Sequence, residues 1–391
     1  MRLTVLGGFG QMAEAVLVHL GARTEVSQVF CVDLDLSRSK ELLSRIPGAK
    51  KIRPLRLDFT RIDQALRVLK DSDCVINCAW YEHNLKAMEL ALALKSHYVD
   101  LGGLYHMTLR QLRLDTRFKA IERLAVLGIG STPGITNLMT ARLAGKLEKV
   151  ESVSIFDASH DPDLSDSRFM PPFSIRTLLE EFQSPVPVYR NGAIRFIPAR
   201  SEAEEDEFDP PIGRARLVSA IHSELATLPR FLRDKGLKNL CFKIAYPGPV
   251  ERQLSWLVSL GLAAESPIQV NGAEISPRNL LTSLARKSLQ ETPWQRPRDF
   301  EILRVKASGR EGKQAVTASL DCQLRPAGRL SAGTAGVGIP VAVAALALMT
   351  GRARARAGVM GPESALDARP FIAELERQGF VLAEHSGRRK S

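Results

Sequence analysis

The sequence predicts an α/β fold: a doubly wound parallel sheet, followed by a second domain of the α+β type. Two patterns support this prediction. Up to residue 130, short apolar runs alternate with longer amphipathic stretches, as in a parallel sheet whose two faces are covered by helices. After residue 131 the alternation stops, and strand-like runs with proline-rich joints follow.

The first domain is expected to contain six strands, at 2–6, 29–32, 52–57, 74–78, 98–101 and 125–129. Between them, apolar residues recur with a helical period, most clearly at 12–20, 38–46, 85–94 and 109–124. Strands therefore alternate with helices, as the crossovers between parallel strands require.

The rest of the chain divides near residue 330. Strand-like runs at 152–156, 240–246 and 314–324 indicate an α+β domain, whose acidic stretch, 202–209, is expected to be a solvated loop. Two closing helices, at 338–349 and 370–378, are expected to pack back on the first domain. The predicted domains are 1–131, 132–330 and 331–391.

Composition narrows the possible functions. The 391 residues are 45% hydrophobic, enough to bury real cores. Basic residues outnumber acidic ones by 54 minus 43, or 11, but they are dispersed, and only 6% of residues are aromatic. We therefore expect no nucleic-acid partner. The longest apolar stretch, 335–349, is interrupted by glycine and proline and is shorter than a membrane span, so no membrane partner is expected.

The chain start lacks the basic and apolar regions of a signal peptide, and the five cysteines are scattered. The closest pair, Cys74 and Cys78, lies inside an apolar run rather than in a metal-binding turn. We expect reduced thiols in a cytoplasmic protein, without a metal site.

A glycine-rich turn joins the first strand to the first helix, with the sequence Gly8-Phe9-Gly10-Gln11-Met12-Ala13. In this context the G-x-G-x-x-A pattern indicates a Rossmann-type dinucleotide site. Gly8 permits the tight turn, Gly10 lets the backbone approach a pyrophosphate, and the helix start offers amides to phosphate. Gly8, Phe9, Gly10, Gln11 and Met12 are therefore predicted to bind the cofactor.

Asp33 ends the second predicted strand, 23 residues beyond Gly10. A carboxylate there can hydrogen-bond the ribose hydroxyls of NAD and would repel the 2′-phosphate of NADP. The sequence therefore favours NAD, although the nearby Arg38 leaves NADP possible.

Other strand ends supply further candidates, because ligands lie at the carboxyl edge of such sheets. Asp58 is predicted to face the adenine side, and Asn77 and Ala79 the nicotinamide ribose. Asp100 ends the fifth strand and is predicted to join the cofactor site. Thr136 and Asn137, at the start of the next helix, are expected to offer donors to an anionic substrate group.

Proton transfer near a nicotinamide favours histidine, since its pKa lies near working pH. Four histidines follow strand-like runs or stand near other polar groups: His83, His106, His160 and His222. The residues alone do not rank them.

Nearly the whole chain resembles the saccharopine dehydrogenase family, in particular bacterial members of lysine 6-dehydrogenase type. The similar segments are the glycine turn with Asp33, Trp80-Tyr81, Asp100-Leu101-Gly102-Gly103, Thr132 to Asn137, His222 to Pro229, Asn271-Gly272, Ser276-Pro277-Arg278 and Gly358 to Glu363.

The resemblance implies a Rossmann domain completed by C-terminal helices, with an inserted α+β domain over the nicotinamide. It implies hydride transfer at a carbon that bears nitrogen, in an amino acid or an opine-like secondary amine. His222 becomes the leading proton shuttle, with Glu224 orienting it, and Tyr81 and His83 are further catalytic candidates. Four arginines could bind a substrate carboxylate: Arg176, Arg190, Arg216 and Arg298.

Two other functions remain open. Relatives of lysine 6-dehydrogenase type carry Tyr-Gln-Phe-Asn where this chain has Tyr81-Glu82-His83-Asn84, so lysine is in doubt as substrate. The chain could instead be a lyase or transferase that borrows the hydride and returns it, or a dinucleotide-binding regulator without catalysis. A homodimer is expected from base rates alone.

Overall fold

The structure, a computed structural model, describes residues 1–166, 169–291 and 295–388. Six strands of the first domain are β1 (Arg2–Leu6), β2 (Gln28–Asp33), β3 (Ile52–Arg56), β4 (Cys74–Asn77), β5 (His97–Asp100) and β6 (Leu124–Val126). Its helices are α1 (Gln11–Gly21), α2 (Ser39–Leu43), α3 (Ile62–Leu69), α4 (Asn84–Ala93), α5 (Leu104–Leu112) and α6 (Asp115–Ala120). Next, α7 (Ile135–Lys146) leads into the second domain.

These strands form one parallel sheet in the order β6-β5-β4-β1-β2-β3. The order reverses at β1, so the carboxyl ends of β1 and β4 border a crevice where such sheets bind ligands. The predicted fold class is confirmed. The predicted helix at 109–124 is wrong, because two shorter helices, α5 and α6, occupy this region with a turn at Arg113 and Leu114.

The second domain contains ten strands and four helices among the described residues. In chain order they are β7 (Lys149–His160), α8 (Ile175–Gln183), β8 (Val186–Arg190), β9 (Ala193–Ile197), β10 (Glu204–Glu207), β11 (Arg214–Ser219), α9 (Glu224–Phe231), β12 (Asn239–Ala245), α10 (Val250–Ser259), β13 (Ile268–Val270), β14 (Ala273–Ile275), α11 (Pro277–Gln290), β15 (Phe300–Glu311) and β16 (Gln314–Leu324). The C-terminal segment adds α12 (Ala332–Met349), β17 (Gly358–Met360), α13 (Pro362–Ala365), α14 (Ala368–Arg377) and β18 (Val381–Arg388).

A mixed sheet forms the second domain, in the order β10-β11-β12-β7-β15-β16-β18, with the hairpin β8-β9 beside β12. Only β12 and β7 pair in parallel along this main path, as far as the chain is described. The acidic stretch 202–209, expected to be a loop, contains the edge strand β10. Its carboxylates form ion pairs with lysines of other strands of the sheet: Asp206 with Lys306 of β15 at 2.6 Å, and Glu204 with Lys243 of β12 at 2.8 Å.

The C-terminal segment contains two strands, β17 and β18, in addition to the helices that the sequence predicts. Strand β17 pairs with β6 as a seventh parallel strand of the first sheet, and β18 pairs with β16 of the second sheet. Helix α12 begins six residues earlier than expected, capped by Ser331. It is long and apolar enough to cross a membrane, but 78% of it is buried inside the protein.

Helix α12 packs on α1 at a close approach that Gly338 permits. A Cβ at this position would lie 2.5 Å from Ala15 Cβ and 2.7 Å from the Met12 carbonyl. The same helix lies against the second sheet through Gly336, where a Cβ would approach Leu324 Cδ1 to 2.7 Å. Helix α12 therefore joins the domains at the glycine turn.

Candidate active site

A cleft of about 580 Å³ lies between the two domains, at the carboxyl edge of the first sheet. On the first-domain side it is lined by Gly10, Gln11, Met12, Ala79, Trp80 and Tyr81. On the opposite side lie Thr132, Pro133, Arg176 and His222. One cleft thus contains His222, the predicted proton shuttle, and four of the predicted cofactor residues: Gly10, Gln11, Met12 and Ala79.

The glycine turn has the shape that a dinucleotide requires. A Cβ at Gly8 would lie 2.4 Å from Cys31 Sγ, so a side chain at this position would displace the turn. Gly10 is the N-cap of α1, and no side chain caps that helix. The first amides of α1 therefore face the cleft beside Gly10, where they can donate to a phosphate group.

Asp33 is already bound to the glycine turn. Its Oδ2 accepts a hydrogen bond from the Phe9 amide at 3.0 Å, and its Oδ1 accepts one from the Leu34 amide at 2.8 Å. Arg38 also folds onto the turn, donating to the Phe9 carbonyl at 3.0 Å. The acidic and basic determinants of cofactor choice thus contact the same residue, Phe9.

Two predicted cofactor residues lie behind the cleft rather than in it. Asp100 is fully buried and accepts hydrogen bonds from the Gly128 and Gly102 amides, Tyr98 and Gln111. Asn77 is 1% exposed; its Oδ1 accepts from the Ala79 amide, while its Nδ2 donates to Asn84. Both side chains shape the turns that border the cleft.

Asp58 lies beyond β3, outside the residues that line the cleft. Its Oδ1 accepts hydrogen bonds from the amide and hydroxyl of Thr60, and Oδ2 lies 3.5 Å from Arg61 Nε. The hydroxyl bond lowers the pKa of this carboxyl. Its predicted place beside the adenine stays a prediction.

His222 stands just before α9, 9% exposed, where the second domain meets the cofactor cleft. Its ring stacks on Phe242 with centroids 3.9 Å apart and an interplanar angle of 13°. Nδ1 lies 2.5 Å from Glu224 Oε2, and the other oxygen of Glu224 accepts from Thr136 Oγ1 at 2.9 Å. The Glu224 carboxylate thus orients the ring through Nδ1. The second ring nitrogen, Nε2, remains for proton transfer.

The charge state of His222 is set by opposing effects. Burial lowers the pKa of the imidazole, but Glu224, together with Glu181 and Asp157, more than offsets burial and leaves the pKa raised. The ring is therefore protonated more readily than a free imidazole, which suits a residue that accepts and returns a proton.

Thr136 and Asn137 do not face a substrate, which corrects the sequence-based expectation. They are 0% and 1% exposed. Their donors already serve the carboxylates of Glu224 and Glu363, at 2.9 and 2.8 Å. The start of α7 therefore supports the site from behind.

A second cavity of about 370 Å³ adjoins the cleft, and His222, Gln11, Met12 and Thr132 line both. Its walls are rich in carboxyl groups: Asp157, Asp161, Asp163, Glu181, Asp299 and Glu301. Among the described lining residues, Arg298 is the one lysine or arginine, and it is paired with Asp163. We call this cavity the acidic chamber.

Three of these carboxyls are more than nine-tenths buried: Asp157, Glu181 and Glu301. Burial raises the pKa of Asp157 to about 6 and that of Glu181 to about 7. It also raises the pKa of Glu301 well above its ordinary value, helped by the charges of Asp157 and Asp299. Hydrogen bonds from Thr132 and Tyr246 only partly compensate.

The remaining catalytic candidates are placed less favourably. Tyr81 lines the cleft, and burial raises the pKa of its hydroxyl, so it gives up its proton less readily than a free tyrosine. His83 is exposed, with its ring edge-on to Phe59 and Trp80. His106 is also exposed and stacks on Phe196.

The structure distinguishes the four arginines that the sequence gave as candidates to bind a substrate carboxylate. Arg190, Arg216 and Arg298 pair with Glu202, Glu251 and Asp163. Arg176 lies in the cleft, with its guanidinium carbon 4.5 Å from the Trp80 ring centroid. Within the described residues it makes one long hydrogen bond, to Asn279 at 3.4 Å, and no carboxylate pair. Of the four arginines it is the one that lines this cleft, which Arg286 also lines.

Two family models match the chain. The saccharopine dehydrogenase NADP binding domain matches residues 3–126, and the saccharopine dehydrogenase C-terminal domain matches residues 130–380. A carboxyaminopropylagmatine dehydrogenase from Synechocystis sp. is 21% identical over 295 residues, which are 73% of this chain and 72% of that protein. The apo saccharopine dehydrogenase (L-Glu forming) of Saccharomyces cerevisiae superposes with a TM-score of 0.76 at 18% identity, covering 99% of both chains.

The glycine turn, the interdomain cleft and the matched dinucleotide domain together define an NAD(P)-dependent oxidoreductase. The two family models cover nearly the whole chain, so the protein belongs to the saccharopine dehydrogenase family.

We expect Glu224→Gln to lower the pKa of His222, because the neutral amide removes the largest charge that favours the imidazolium. In the wild type the raised pKa stabilises the fold at low pH, and this contribution is lost as pH rises through that pKa. Titrating the His222 ring by NMR in both proteins measures the change. A His222 pKa unchanged by the substitution would contradict this account of the pair.

Proposed function

We propose that the protein interconverts a secondary amine and its oxidised form at the carbon next to nitrogen, using NAD(P). The observation that carries this proposal is the His222–Glu224 pair, which stands where the cofactor cleft meets the acidic chamber. Bound NAD(P) would accept or return the hydride. The protein supplies the proton shuttle and the walls that orient the amine.

His222 is the residue that moves the proton. As an imidazole it accepts a proton from the amine nitrogen or from the water that attacks the oxidised carbon, and in the reverse direction it returns that proton. Glu224 stabilises the imidazolium formed in between. Because the pair is buried, its electrostatic interaction is screened little by water.

The acidic chamber supports a substrate that carries a positive charge beyond the reacting nitrogen. The charge of His222 lowers the pKa values of Asp157 and Glu181 but does not offset their burial, and an ammonium or guanidinium group would add a further positive charge beside them. The name of the Synechocystis relative describes a secondary amine built on agmatine, which bears a guanidinium group. At the other end, Arg176 is placed to bind a carboxylate, so we propose an amino-acid-derived amine with a cationic tail.

NAD is the proposed cofactor of choice. The Asp33 carboxylate would repel a 2′-phosphate and can accept hydrogen bonds from ribose hydroxyls. Arg38 stands close by, but its side chain is engaged by the Phe9 carbonyl and lies 4.0 Å from Glu14.

The function is tested by offering the protein NAD or NADP with saccharopine, lysine, carboxyaminopropylagmatine and a panel of amines, while absorbance and released ammonia are followed. We expect reduced cofactor with secondary amines that bear a cationic group. His222→Asn should lower turnover by roughly a hundredfold with little change in cofactor affinity. His385→Asn, on the exposed face of β18, is the matched control.

Two results would contradict the proposal. Ammonia or a new amine without net reduction would show borrowed-hydride chemistry instead. Turnover unchanged in His222→Asn would remove His222 as the proton shuttle.

The acidic chamber makes cation binding depend on pH. Asp157 and Glu181, with pKa values of about 6 and 7, are partly protonated at neutral pH, and a bound cation favours their ionised forms. Affinity for the cationic amine should therefore rise between about pH 5.5 and 8, with release of protons. Calorimetry in two buffers of different ionisation enthalpy measures both effects. Binding without proton release, or with the same affinity in Glu181→Gln, would rule out this role.

Cofactor choice is tested with Asp33→Asn, which keeps the size of the side chain and removes its charge. The ratio of NAD to NADP affinity should move toward NADP by about tenfold, equivalent to roughly 1.4 kcal/mol. Asp35→Asn, an exposed neighbour, serves as the control. Equal losses for both cofactors would show that Asp33 supports the turn without selecting the cofactor.

A further inference from the structure

The C-terminal segment from Gly358 to Glu363 brings a buried carboxyl group close to the His222–Glu224 pair. Strand β17 adds this segment to the first sheet, and Glu363 follows in α13, 1% exposed. A Cβ at Gly361 would lie 2.6 Å from both Glu363 carboxyl oxygens and 2.8 Å from Thr227 Oγ1. Glycine at 361 therefore leaves room for this carboxyl beside Thr227.

The Glu363 carboxyl lies between two helix starts. Its Oε2 accepts a hydrogen bond from Asn137 Nδ2 at 2.8 Å, in the first turn of α7. The same Nδ2 donates to Thr227 Oγ1, in the first turn of α9, at 3.4 Å. The other oxygen of Glu363 is buried without a hydrogen-bond partner among the described residues. The same two helices are joined again where Thr136 donates to Glu224 at 2.9 Å.

We propose that Glu363 is a positioning residue of the active site, which holds the start of α9 against the start of α7 and so fixes Glu224 behind His222. The inference rests on the proposed function, in which His222 moves the proton. Glu363 lines neither the cofactor cleft nor the acidic chamber, so its effect on the reaction passes through α9.

The surroundings of Glu363 indicate which substitutions are informative. Burial raises the pKa of this carboxyl, and the nearby Glu224 charge adds to the effect, so a neutral group suits the site. Glutamine has the same length, can accept from Asn137 and can donate to Thr227. Alanine removes the carboxylate acceptor of Asn137 and leaves it the 3.4 Å bond to Thr227, and aspartate withdraws the carboxyl by one methylene.

The experiment compares Glu363→Ala, Glu363→Asp and Glu363→Gln by the NMR titration of the His222 ring and by kcat and KM. Alanine and aspartate should shift the His222 titration and lower kcat by roughly tenfold to a hundredfold, with a smaller change in KM. Glutamine should keep both close to wild type. If the alanine variant does not fold, the aspartate variant carries the test.

Asp115→Ala is the matched control. Asp115 accepts from the Val359 amide at 2.8 Å and anchors the same C-terminal segment without contacting α9. It should lower the melting temperature but leave the His222 titration and kcat unchanged.

The proposal is overturned if Glu363→Ala and Glu363→Asp behave like this control, or if Glu363→Gln loses as much as alanine. The titration needs no turnover, so it decides the role of Glu363 separately. Absence of amine oxidation by the wild type would instead count against the proposed function.

Discussion

The active site depends on one buried contact, the hydrogen bond between His222 Nδ1 and Glu224 Oε2. A carboxylate without exposed surface is costly unless it is paired and hydrogen-bonded. Glu224 satisfies this requirement with His222 on one side and Thr136 on the other. Because Thr136 lies in the first turn of α7, the helix that leads into the second domain, the same pairing helps to hold the second domain over the glycine turn.

The two cavities that meet at His222 differ in electrostatic character. The cleft offers helix amides and Arg176, which suit phosphate and carboxylate groups. The chamber offers buried carboxyls that the described part of the chain leaves largely without cations. Keeping such groups unpaired costs stability, as is common where a site is shaped for a ligand rather than for the fold.

Much of the fold could be predicted because its signals are local. Alternating runs and the glycine turn identified the parallel sheet, six of its seven strands and the NAD(P)-binding domain. The added strands β17 and β18 were missed, because each pairs with a strand far away in the sequence. Strand β10 was mistaken for a loop, because a run of acidic residues does not reveal its pairing with β11 or its ion pairs with Lys243 of β12 and Lys306 of β15.

Only part of the site could be predicted, because its side chains also meet through contacts between distant parts of the sequence. Asp100 and Asn77 do stand at the correct edge of the sheet, but strand position does not reveal that their side chains turn inward. Asp157, Glu181 and Glu301 come from β7, α8 and β15, with no common spacing that a sequence could show. His222 and Glu224 were singled out through the family resemblance, and they are the pair that the structure brings to the cleft. The cytoplasmic location and the dimer stay predictions.

In the proposed reaction, hydride passes between the amine carbon and the nicotinamide in this cleft. The most direct measurement uses the amine identified by the panel, deuterated at the carbon that bears nitrogen, and reads the mass of the cofactor after one turnover. We expect deuterium at C4 of the reduced nicotinamide. Reduced cofactor without deuterium, or amine turnover with the label still on the product carbon, would contradict it.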